Sequence, residues 1–101
     1  MAGAVIQKLT ENLRTLVEIV EELSFYQVTN RLARLIGRMT PEQLNERITQ
    51  DQLAARLGTV REVAARSLRE LERSGAIRVA RRKIQVLDAA ILNEWAAGPE
   101  L

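Results

Sequence analysis

The sequence predicts a mainly α protein with one small β-hairpin, opened by a long amphipathic helix. Apolar residues make up 47% of the 101 residues, yet Phe25, Tyr26 and Trp95 are the only aromatics, so the core must come from Leu, Ile, Val and Ala. That is the composition of a small helical domain rather than of a β-sandwich or a disordered tail. Helical spacing dominates the first half of the chain, and period-two alternation is confined to Ile77–Val86.

From about Ala4 to Ser24 there is neither Gly nor Pro, and Ile6, Leu9, Leu13, Leu16, Val20 and Leu23 fall at spacings of 3, 4, 3, 4, 3. Written as a heptad, Ile6, Leu13 and Val20 take the a positions and Leu9, Leu16 and Leu23 the d positions. Leu at every d with β-branched residues at two of the three a sites favours a parallel two-stranded coiled coil along a helix about 30 Å long. The alternative is a helix packed on its own domain, because Val5, Val17 and Ile19 widen the stripe beyond a strict seam. The heptad stops where Gln27 and Asn30 take the next a and d places, which predicts a hinge at Phe25–Gln27. The chain accordingly divides into a dimerisation helix with its hinge, residues 1–26, and a domain of residues 27–101.

A second helical pattern, Val28, Leu32, Leu35, Ile36 and Met39, sets Arg31, Arg34 and Arg38 on its opposite face. Thr40-Pro41-Glu42-Gln43 offers an N-cap, Pro at N1 and Gln at N3, and so a short helical turn; Leu44–Ile48 reads equally well as a short edge strand. Thr49-Gln50-Asp51-Gln52 is a capping box opening a helix that buries Leu53, Ala54 and Leu57 and closes at Gly58. Thr59-Val60-Arg61-Glu62 reads as a second box, opening a helix that buries Ala64, Leu68 and Leu71 and ends at Ser74-Gly75. A short helix, a Gly-containing turn and a longer helix make a helix-turn-helix, and the small residues Ala54, Ala55, Ala64 and Ala65 permit its close crossing. Ile77-Arg78-Val79 and Ile84-Gln85-Val86, joined by Ala80-Arg81-Arg82-Lys83, form a hairpin. Asp88 caps a last helix carrying Ile91, Leu92 and Trp95, which Gly98-Pro99 ends. The predicted fold is thus a winged helix-turn-helix preceded by a long dimerisation helix.

The charge pattern gives this fold a direction. Residues 1–46 carry five basic and six acidic side chains, residues 47–83 ten basic and four acidic, and residues 84–101 three acidic and no basic, which recovers the net +2. A basic middle in a balanced chain points to a polyanion held at one surface, against the plainer reading of a solubilising face. On the second helix of the motif the outward residues are Arg61, Glu62, Ala65, Arg66 and Arg69. Arg offers a bidentate fork to guanine N7 and O6, Glu accepts from the cytosine N4 amino group, and a small residue lets a helix sit deep in a groove. Glu62 also has local roles, as N3 of the capping box and as the i,i+4 partner of Arg66. The alternative for the three arginines is an ordinary solvated helix face, which would carry equal weight only without the preceding short helix and the basic wing.

Other functions are disfavoured. With no Cys and no His, the chain offers no disulfide, thiolate metal site or His-based catalytic set. It shows no carboxylate pair, nucleophile–base set or Gly-rich phosphate loop, so an enzyme is not expected. No apolar run approaches the roughly 20 residues that cross a bilayer and no signal peptide opens the chain, so the expected location is the cytoplasm, with no membrane partner.

The stretch Ile48-Thr49-Gln50-Asp51-Gln52-Leu53-Ala54, with Leu57-Gly58, Arg61-Glu62, Arg66-Ser67-Leu68-Arg69-Glu70-Leu71-Glu72, Gly75-Ala76-Ile77, Ile84 and Val86-Leu87-Asp88, resembles the C-terminal part of the cyclic-AMP receptor protein family, the Crp–Fnr regulators. Leu16–Leu23, Phe25 and Arg31-Leu32-Ala33-Arg34-Leu35-Ile36 resemble that family's dimerisation helix, hinge and following helix, so the similarity covers nearly the whole chain. The resemblance implies a homodimeric, sequence-specific reader of double-stranded DNA in a bacterial transcription regulator, with RNA polymerase as a further candidate partner. Arg61, Glu62 and Arg66 would read bases, and Arg at position 61 with small Ala65 looks more like the cyclic-AMP receptor branch, which implies a G-containing half-site of the TGTGA kind. Phosphates would fall to Thr49, Gln50, Thr59, Arg69, Arg81, Arg82 and Lys83.

Two departures qualify the likeness. The family often places Ser or Thr on either side of the Arg-Glu pair as phosphate donors, where this chain has Val60 and Val63. The family also carries an effector-binding β-roll ahead of the dimer helix, and none of its phosphate-cradling residues is present. The expectation is either a C-terminal piece of a longer regulator, which the family's order of parts favours, or a regulator without a sensor. Either way no cofactor is expected in this chain, since any effector would bind that sensor domain. The competing function is a protein-interaction module that uses the winged helix without reading DNA; its basic wing and exposed arginines would then have no task.

Overall fold

The computed structural model describes residues 2–98, which form helix α1 (Ala2–Arg38), a short helix α2 (Pro41–Leu44), α3 (Gln50–Leu57), α4 (Arg61–Arg73), strands β1 (Ile77–Ala80) and β2 (Lys83–Val86), and α5 (Ala89–Ala96). Its principal extents are 64 × 26 × 21 Å, and the Cα radius of gyration of 17.2 Å exceeds the roughly 13 Å of a compact chain of this length. The excess comes from α1, whose residues 3–24 are exposed throughout and project from the remainder. No helix among the described residues is long and apolar enough to cross a membrane.

The break expected at Phe25–Gln27 is absent, because α1 runs unbroken through those residues. What changes there is the helix's partner. No Gly or Pro interrupts the backbone, and from Phe25 onward one face (Phe25, Val28, Thr29, Leu32, Ala33, Ile36) is buried against the domain. The heptad therefore ends where self-burial begins. The earlier stripe of Ile6, Leu9, Leu13, Leu16, Val20 and Leu23 stays 47–63% exposed, so it does not pack on its own domain. Arg34, expected opposite the apolar face, is instead half-buried and donates to the Ala96 carbonyl at 2.9 Å, holding the end of α5 against α1.

Residues 44–48 form no strand: Thr40 makes a full capping box with Gln43 that opens the helical turn α2, and residues 45–48 follow it as turn and irregular chain. Thr49 makes the same reciprocal bonds with Gln52 at the head of α3. Gly58 ends α3 in the left-handed conformation (φ 66°), and the Thr59 amide then donates to the Ala54 carbonyl. That closing bond ties Thr59 to the preceding helix. The expected second capping box consequently does not form: Val60 is the N-cap of α4 and supplies no side-chain bond, which makes Glu62 the second helical residue rather than the third. Asp88 caps α5 as expected, its Oδ1 accepting from the amides of Ala90 and Ile91. Pro99, read as part of the final stop, lies outside the described residues.

The core joins α1 to the helix-turn-helix and the hairpin. Leu32, Ile36, Leu53, Leu71 and Ile77 are the large apolar side chains with essentially no exposure. Within it, two hydroxyls meet: Thr29 Oγ1 donates to the Phe25 carbonyl at 2.8 Å and lies 3.0 Å from Ser67 Oγ, both residues being fully buried. The hairpin pairs Ile77 with Val86 and Ala80 with Lys83 in antiparallel register. Its two-residue turn places both Arg81 (φ 52°) and Arg82 (φ 64°) in the left-handed region, the geometry that matches strand twist and that Asn-Gly ordinarily supplies.

Candidate nucleic-acid interface

The N-terminal ends of α3 and α4 and the wing turn converge on one side of the molecule. The Ile48 amide donates to the Arg82 carbonyl at 3.0 Å, so the turn is fastened one residue ahead of Thr49, the N-cap of α3. The result is a groove lined by Thr49, Gln50 and Asp51 of the α3 start, Arg61 of the α4 start and Arg82 of the wing. An adjoining depression adds Glu62, Ala65 and Arg69 and shares Gln50 and Arg61 with the first. Within it Arg61 Nε reaches Gln50 Oε1 at 3.4 Å, a long contact between two exposed side chains. Two helix N-termini, with their unpaired amides and positive dipole ends, and three guanidiniums thus face the same space, an arrangement suited to a polyanion.

Ala65, expected on the outer face, is 8% exposed and forms the floor of the depression between its larger neighbours. Its methyl group keeps that floor low. Thr59 is half-buried in the turn between α3 and α4 and lines neither groove. Arg81 is exposed at the tip of the wing, and Lys83, also exposed, extends to Asn45 Oδ1 at 3.4 Å.

Arg66 stands apart from Arg61. It lies on the flank of α4 that faces α1, its guanidinium carbon 3.8 Å from the centroid of the Phe25 ring and its Nη2 3.4 Å from Glu22 Oε2. The pairing anticipated with Glu62 is replaced by this contact to the first helix. Spacing within α4 alone could not reveal it, since Glu22 lies 44 residues away in the chain. Two turns further along α4, Arg73 grips Glu70 through both carboxylate oxygens. That hydrogen bonding holds the Glu70 carboxyl below the usual carboxylate range against the opposing effect of burial, with lesser help from the charges of Arg73 and Arg66. A three-ring aromatic line borders the same flank: Phe25 packs tilted on Tyr26 at 5.4 Å, and Tyr26 stacks on Trp95 at 6.4 Å. Trp95 Nε1 donates to Ser74 Oγ at 3.1 Å, fixing α5 to the end of α4.

Residues 30–95 match the family of Crp-like helix-turn-helix domains. Over 98 residues the chain is 33% identical to the transcriptional regulator SdrP of Thermus thermophilus, covering 89% of this chain and 48% of that protein. Over 92 residues it is 33% identical to the cyclic AMP receptor protein of the same organism, covering 89% and 43% respectively. Among solved structures, the catabolite activator protein of Thermus thermophilus superposes with a TM-score of 0.73 at 30% identity, over 94% of this chain and 46% of that one. A CRP/FNR family transcriptional regulator from the same organism superposes at 0.62 with 32% identity, over 91% and 52%. The chain spans about half the length of the curated relatives it matches.

Proposed function

The chain belongs to the family of Crp-like helix-turn-helix domains, and on that premise we propose that it is a dimeric, sequence-specific reader of double-stranded DNA serving a transcription regulator. The observation that carries this reading is the meeting of Thr49, Gln50, Arg61 and Arg82 in one groove, which brings the start of both motif helices and the wing to a single face. Set into a major groove, α4 would present Arg61, Glu62 and Arg66 to base edges near its N-terminal end, as recognition helices do. Arg69, Thr49 and Gln50 beside it, and Arg81, Arg82 and Lys83 on the wing, would neutralise phosphates and fix the register. Thr59, with its backbone tied to α3, is the least well placed of the phosphate candidates.

The dimer follows from the stripe on α1. Two chains pairing through Ile6, Leu9, Leu13, Leu16, Val20 and Leu23 would cover apolar side chains that are about half or more exposed in one chain. A parallel pair relates the two recognition helices by a two-fold axis, and a palindromic site with half-sites about 34 Å apart matches that symmetry.

The test is selection of bound duplexes from a random library at moderate salt, with protein well above its dimerisation constant. Enrichment of an inverted repeat whose half-site centres lie about one helical turn apart is expected. Enrichment of single half-sites would keep the reading helix and remove the dimer from the proposal. Absence of enrichment, with no salt-dependent binding to duplex, would turn the assignment to the protein-interaction module.

A further inference from the structure

We propose that Phe25 and Glu22 of α1 are positioning residues for Arg66, holding its guanidinium on an aromatic platform with its donor edge directed outward for a bidentate contact to guanine. This rests on the reading of Arg66 as a base contact. The geometry separates what is covered from what is left open. The guanidinium carbon of Arg66 lies over the Phe25 ring, 3.8 Å from its centroid, a contact that a cation makes with a ring face rather than with a hydrogen-bond acceptor. Glu22 accepts from Nη2 alone, at 3.4 Å, and each terminal nitrogen of the fork carries two protons, so an in-plane donor remains on every nitrogen. The platform is firm: Phe25 is 5% exposed and sits in unbroken helix, whereas the Arg66 side chain above it is 52% exposed.

A long, half-exposed arginine otherwise gives up rotamer freedom when it docks, and a side chain already seated on a ring gives up less. Among the described residues, Arg61 has only the exposed amide of Gln50 at 3.4 Å and no ring contact, so the two arginines differ in how far they are fixed before DNA arrives. The device also places the support for base reading on the helix that carries the apolar stripe. Tyr26 packs tilted against Phe25 and itself stacks on Trp95, so the ring belongs to a longer aromatic line.

The experiment measures discrimination by the full chain between its selected duplex and the same duplex with one guanine exchanged for adenine, at the position where Arg66→Ala reduces the preference most without abolishing it. Phe25→Leu and Glu22→Gln are each expected to reduce that discrimination about two- to fivefold, the factor that a contact of this class contributes at a half-exposed site. Phe25→Tyr, which keeps the ring, is expected to retain it. Neither Phe25→Leu nor Glu22→Gln should change the ratio further in an Arg66→Ala background. As a ratio of affinities the readout is independent of the fraction of folded protein, and Glu22→Gln alters only an exposed side chain. Unchanged discrimination in both variants, equal losses in the Arg66→Ala background, or tighter cognate binding by Glu22→Gln would each overturn the proposal while leaving Arg66 as a base contact. Arg66→Ala with no loss at any position would remove the base contact itself, and the platform with it.

Discussion

The guanidinium carbon of Arg66 lies 3.8 Å from the centroid of the Phe25 ring, so a residue of the helix-turn-helix rests on a residue of the long first helix. Arg66→Ala is therefore expected to have two separable effects. Cognate binding should weaken by about 1–3 kcal/mol with relaxed choice at one base position, while affinity for random duplex changes little. Arg66→Lys should recover little of the loss, since an ammonium has neither the planar fork nor the same stacking on the ring. Parallel titrations of cognate and random duplexes check this, and equal weakening of both would remove Arg66 from base reading.

Arg82 joins a charge that lines the groove to an unfavourable backbone. It holds φ 64° in the wing turn and lines the groove beside Thr49 and Arg61, and a non-Gly residue in that region costs on the order of 1 kcal/mol. Arg82→Ala should weaken all duplexes alike and lower the slope of log affinity against log salt by about one, with stability little changed. Arg82→Gly should show the same loss of binding but unfold at a temperature higher by about 4–8 °C, the shift that about 1 kcal/mol produces in a domain of this size. Thermal unfolding and salt titrations on the two variants decide the matter; a Gly variant no more stable than the Ala variant would mean that the turn is unstrained.

Local chemistry explains how much of this was legible in the sequence. The boxes at Thr40 and Thr49, the Gly58 stop, the Asp88 cap and the hairpin are all written within four or so residues, and each forms as read. The box at Thr59 failed because the same residue closes the preceding helix, and a single amide cannot serve both ends. The heptad's end at Gln27 was a real boundary, but of burial rather than of helix: side-chain pattern reports what covers a face, and only backbone-breaking residues report where a helix stops. The groove was foreseeable from the basic residues around 61 and 82, whereas the seat of Arg66 on Phe25 and Glu22 depends on how α4 crosses α1, which no local pattern encodes.

The buried Thr29–Ser67 pair ties the same two helices through polar contact in an otherwise apolar region. Ser67→Ala removes one partner and leaves part of the Thr29 hydroxyl unpaired away from water, so it should lower stability by about 1–2 kcal/mol. Removing both hydroxyls with Ser67→Ala and Thr29→Val should cost less than the sum of the single changes, because nothing buried is then left without a partner. Denaturant unfolding of the three variants measures this, and strict additivity would show that the two hydroxyls do not stabilise one another.

Leu13 is 63% exposed in the middle of the apolar stripe and far along α1 from the packed domain, which allows oligomeric state to be changed without disturbing the fold. At the centre of a paired seam a carboxylate would have to be desolvated against apolar neighbours, a cost a short coiled coil cannot absorb. Leu13→Glu is therefore expected to give a monomer by sedimentation at concentrations where the parent chain is dimeric, with little change in the unfolding midpoint of the helix-turn-helix region. In duplex selection it should enrich single half-sites where the parent enriches an inverted repeat, with affinity for one half-site preserved. A Leu13→Glu chain that still sediments as a dimer would place the dimer contact elsewhere than on this stripe.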